Sequence, residues 1–145
     1  MALNPLSRSA GSAPSPVKQI VGGGGILTSA AATTPIQALP DAQVPSNKSL
    51  FVGAFTLKVN GATPWTGAGT VFRIKGTDGT LYASIAKSAL TANAFLTPFS
   101  TGVTLATAFT NGGVAANGLV IDCDGAFAGS DILFDFVGYL SDRIS

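Results

Sequence analysis

The chain has 145 residues, 46% hydrophobic and only 10% charged, with a net charge of +1. That length suits one compact core with an appendage rather than two cores, and without any run of Lys or Arg interleaved with aromatic residues it lacks the electrostatic footprint of a nucleic-acid binder. A charge content so far below the roughly 25% of ordinary soluble domains points to a surface meant to be covered by neighbours, since the centres of interfaces are depleted of charge; a small β domain with a Thr-rich face is the plainer alternative.

Residues 1–48 are punctuated by Pro5, Pro14, Pro16, Pro35, Pro40 and Pro45 and by the run Gly22 to Gly25. Proline removes a donor and extends the residue before it, and glycine is costly to order, so this stretch is expected to be an extended, irregular arm rather than a core. Val17, Ile20, Val21, Ile26 and Leu27 are apolar enough to seek a surface. They are therefore the expected interface residues of an arm laid over its own domain or over a neighbouring subunit, with a plain linker as the alternative. The glycine run lacks the Lys-Ser/Thr of a phosphate loop and reads as a hinge or a site of close approach.

From residue 49 to 145 the pattern is that of a β domain. Leu50 to Val59 alternates, placing Phe51, Phe55, Leu57 and Val59 on one face and Thr56 and Lys58 on the other. Asn60-Gly61 is a turn signal. Thr70 to Lys75 and Leu81 to Ile85 flank Asp78-Gly79, which closes a hairpin. Ser88 to Phe95 reads as a short helix cut off by Pro98 and Gly102. Val103 to Phe109, Leu119 to Cys123 and Ile132 to Leu140 complete the strands. Strands at such spacing predict an all-β fold, an antiparallel β-sandwich of jelly-roll type, with a barrel as the runner-up.

The chain contains no His and no Glu. The commonest general base, the usual metal ligand and every carboxylate pair that needs Glu are thereby removed, and a glycosidase would have to draw its two carboxylates from Asp122, Asp124, Asp131 and Asp135. We expect no enzyme and no cofactor. Asp122-Cys123-Asp124-Gly125 resembles the opening of a calcium loop, which would make Asp122, Asp124 and Asp131 candidate ligands, but the twelfth position, where an EF-hand carries a bidentate Glu, is Leu133. Two solvated aspartates before a glycine turn are the ordinary reading. The single Cys123 allows no internal disulfide and reads as a buried small hydrophobe. No apolar stretch approaches the roughly 18 residues of a membrane span, and Met1-Ala2-Leu3-Asn4-Pro5 does not open a secretory leader, so the cytoplasm is the expected place of synthesis. Trp65, the lone Trp, follows Pro64 in a loop, where it could anchor an interface, stack on a sugar or plug the core.

Charge is divided unevenly. Residues 1–100 hold seven bases and two acids (+5) and residues 101–145 one base and five acids (−4), a split that assembly between copies could use. Taken together, a charge-poor Gly/Ala/Thr-rich β domain behind a Pro-rich arm, without catalytic side chains, resembles the decoration or cement proteins of tailed-phage capsids. The resemblance implies a protein of the virion surface, made in the host cytoplasm, that clusters as a homo-oligomer, often a trimer, and bridges subunits of the major capsid protein. The competing reading is a carbohydrate-binding or fibre-type β-sandwich using Trp65 with Tyr82 or Tyr139.

Overall fold

A computed structural model describes residues 19–142. Nine strands form two antiparallel sheets: β1 (Gln19–Leu27), β2 (Ile36–Leu39), β3 (Ser49–Val59), β4 (Val71–Gly76), β5 (Leu81–Ala86), β6 (Phe95–Leu96), β7 (Val103–Leu105), β8 (Leu119–Cys123) and β9 (Ile132–Ser141). The first sheet runs β1-β9-β3-β6 and the second β2-β8-β4-β5-β7. Pairing is nested: β1 with β9, β2 with β8, β3 with β6 and β4 with β5 at the centre. That is the strand order of a jelly roll, an antiparallel ribbon wrapped into two sheets, to which β7 adds one strand beside β5.

The core lies between the sheets. Leu27, Leu50, Leu57, Ile132 and Phe134 from the first sheet meet Leu39, Phe72, Ile74, Ile85 and Ile121 from the second, each at most 1% exposed. Full burial of such side chains contributes about 1.5–3 kcal/mol each before conformational entropy is set against it. β9 shows the cause most plainly: Ile132, Phe134, Phe136 and Leu140 are buried on one side of the strand while Asp135 and Val137 are exposed on the other. The β4–β5 hairpin closes as its Asp-Gly pair predicts, with Gly79 at φ +96° and the Asp78 carboxylate accepting from the Thr80 amide and hydroxyl.

Four local expectations are corrected. Residues 19–39 do not lie outside the domain: β1 pairs along its whole length with β9, and β2 pairs with β8, so the domain begins before residue 49. Gly23 and Gly25 allow this, because a side chain at Gly23 would collide with the Ala38 carbonyl and one at Gly25 would press on Ile36, where the sheets converge. Phe51 does not share a face with Phe55. A bulge at Gly53, between the Val52–Gly138 and Ala54–Val137 pairs, adds one residue and reverses the parity, so Leu50 and Val52 face the core and Phe51 stacks on Tyr139 on the outer side, centroids 5.1 Å apart. Ser88 to Phe95 is not a helix beyond a single 3₁₀ turn at Lys87–Ala89, and Phe95 opens β6. Val103 to Phe109 divides between β7 and a one-turn helix, α1 (Thr107–Asn111), which carries Phe109 against Phe55.

Candidate functional site

Apart from Ser49 and Phe51, which are buried on the outer side of β3, the first sheet has its buried residues turned inward, which fixes what its other face presents. Register sets Ile20 beside Tyr139, Gly22 beside Val137, Gly24 beside Asp135 and Ile26 beside Leu133; β3 adds Ala54, Thr56 and Lys58, and β6 adds Phe95 beside Lys58. Ile20, Ile26, Phe95 and Val137 are 70, 56, 61 and 56% exposed. They put four of the seven large exposed apolar side chains among the described residues on one sheet face, beside the side-chain-free Gly22. A grouping of exposed apolar side chains on one sheet face marks an interaction surface, whereas singly scattered ones do not; here the row Gly24, Asp135 and Thr56 runs between Val137 and the group of Ile26 and Phe95. The face's charged members in the middle of the sheet are Lys58 and Asp135, both exposed, and neither has an ion-pair or hydrogen-bond partner among the described residues.

The expected interface residues are dispersed by this geometry. Ile20 and Ile26 lie on the exposed face, Val21 is half-buried against the core, and Leu27 is fully buried. Val17 lies outside the described residues. Trp65 is not an exposed anchor: it is 3% exposed, its ring packs 4.7 Å from Phe127 and its Nε1–H donates to the Ser130 carbonyl, which plugs the end of the sandwich. Tyr82 is buried as well and donates through its hydroxyl to the Leu50 carbonyl across the sandwich. The aromatic platform needed for sugar stacking is therefore not built from Trp65 and Tyr82. Sequence reasoning misses Val137 and Phe95 as surface contacts, although Val137 is legible as the out-of-phase apolar residue of β9.

The aspartates of the supposed calcium loop serve other groups. Asp122 is 2% exposed and receives a bidentate pair from Arg73 (Nε to Oδ1 2.8 Å, the second guanidinium nitrogen to Oδ2 2.9 Å) together with Lys75 Nζ at 2.8 Å. This contact raises the Arg73 pKa further. Asp124 turns back to accept from the amides of Thr70 (2.8 Å) and Val71 (3.0 Å) and from the Thr70 hydroxyl. Desolvation opposes its charge, but these donors outweigh it and lower the carboxyl to about 2. Asp131 is exposed, and its carbonyl accepts from the Asn60 amide. No group of three metal-ligating side chains exists among the described residues. Cys123 is buried, and desolvation, with Asp122 and Asp124 nearby, pushes its thiol up to about 12. Part of the uneven charge is satisfied within the chain, since Lys48 also reaches Asp142 at 3.3 Å.

No protein-family model, curated protein or solved structure matches the chain.

Proposed function

We propose that the protein is a structural component of a viral capsid, decorating the shell and cementing neighbouring capsid subunits. The observation that supports this reading is the exposed apolar face of the β1-β9-β3-β6 sheet, where Ile20, Ile26, Phe95 and Val137 stand in water in the isolated chain. Covering that face by association gains hydrophobic free energy at roughly 25 cal/mol per Å² removed from water. The jelly roll agrees with a capsid role, being a common architecture of capsid domains, though also of lectins and cupins. A shell component needs shape, association and a stable core rather than chemistry, and the chain's residue types fit that need.

The test uses virus particles purified from cultures that carry this gene, with the chain detected by antibody and immunogold. Gold on the outer surface of intact particles is the expected result. Particles without the chain, with all of it recovered in the soluble fraction, would overturn the reading.

A further inference from the structure

We infer that the occupant of the exposed sheet face is a second copy of this chain, seated face to face about a two-fold axis that sets Lys58 of each copy against Asp135 of the other. The inference deepens the proposed function by naming the partner of the same face, and it rests on that reading only in assuming that the face is covered. Three observations carry it. Lys58 pairs with Leu133 and Thr56 with Asp135, so Lys58 and Asp135 are diagonal neighbours on adjacent strands, about 7–8 Å apart in such a register. Neither has a charged partner among the described residues. An axis in the interface plane, midway between them and perpendicular to the line joining them, lays each charge over its opposite in the second copy. One patch then serves both sides of an isologous contact.

On β1, Ile26 flanks the charged pair on one side, and on β6, Phe95 flanks it on the other. Gly22 carries no side chain on this face, and the Asp135 carboxylate lies over Gly24. The size fits a modest interface: nine residues of β1 span about 30 Å, and three strands of that length with the two-residue β6 give on the order of 450 Å² in plan per copy. Two such faces bury on the order of 900 Å² of surface, the range of weak, concentration-dependent association. The pairing would leave Phe99, 88% exposed in the β6–β7 connection, free for other contacts.

The experiment measures mass by light scattering from micromolar to half-millimolar concentration for the full chain, Lys58→Asp, Asp135→Lys and an equimolar mixture of the two variants. The full chain is expected as a dimer, and each variant alone to dissociate at least about tenfold more readily, because like charges then face each other. In the mixture, the aspartate introduced at position 58 of one variant faces the lysine introduced at position 135 of the other. The native Asp135 of the first likewise faces the native Lys58 of the second, so mixed dimers are restored. Restoration also shows that both variants are folded. A monomeric full chain, a trimeric mass, or variants that dimerise as tightly as the parent would overturn the pairing. A monomer that still labels virus particles sinks this inference and leaves the shell reading standing; a dimer of the expected charge pattern that never labels them does the reverse.

Discussion

Asp122 is held by two cations, and the consequence of removing a partner depends on which one is lost. Arg73→Met leaves a buried carboxylate with Lys75 alone, so it is expected to cost roughly 3 kcal/mol in urea unfolding, the lower part of the range for breaking a buried pair. Asp122→Asn should cost less, because the partly exposed heads of Arg73 and Lys75 can turn to water; the reverse order would show that the cluster is not organised around the buried carboxylate. Trp65→Ala removes a plug and orphans the Ser130 carbonyl, an expected loss of about 3–5 kcal/mol in the same unfolding measurement. Cys123, with its thiol at about 12 and buried, should react with a thiol reagent at pH 8 only at the rate of unfolding. Little of this is legible in the sequence. Asp122 lies between residues of a strand pattern and so reads as solvated, and what buries it is the register with β4, which sets Asp122 directly beside Arg73. The available signal is the i, i+2 pair Arg73 and Lys75 on one face of a strand.

At the scale of elements, the glycine run decides where the domain begins. Gly22 to Gly25 has loop composition, yet β1 is a nine-residue strand because the two sheets approach closely there and tolerate no Cβ at Gly23. Gly23→Ala is therefore expected to destabilise by roughly 1–3 kcal/mol, as overpacking does, through a clash with the Ala38 backbone that cannot yield as a side chain would; unchanged thermal stability would refute the close approach. β3, β4, β5, β8 and β9 are legible because a half-buried strand writes its burial into alternation. β1 and β2 are not, because edge strands among Gly and Pro carry no such alternation. Neither is the parity of Phe51, since one extra residue at Gly53 exchanges the faces without altering composition.

At the scale of the whole molecule, stability should depend on pH through its clamped aspartates. Hydrogen bonds from the Gly118 amide and the Thr77 hydroxyl lower the Asp41 carboxyl, and those from Thr70 and Val71 lower Asp124 to about 2. A depressed folded-state value stabilises the fold above the ordinary carboxylate range and loses that contribution as pH falls from about 4 toward 2. The melting temperature should drop over that window, and less steeply in Asp124→Asn. The apolar outer face is only partly legible: Ile20 and Ile26 read as surface-seeking, but their meeting with Val137 and Phe95 depends on pairings of residues far apart in sequence, such as Gly22 with Val137.

Whether a second copy covers this face is decided by light scattering on the full chain and on Ile26→Lys/Val137→Lys, both sites being exposed and outside the core. The expected result is a mass above the 14.5 kDa of one chain for the parent and a single-chain mass for the double variant, with little change in melting temperature. A parent that stays at the mass of one chain at half-millimolar concentration, or a double variant that associates as the parent does, would contradict it.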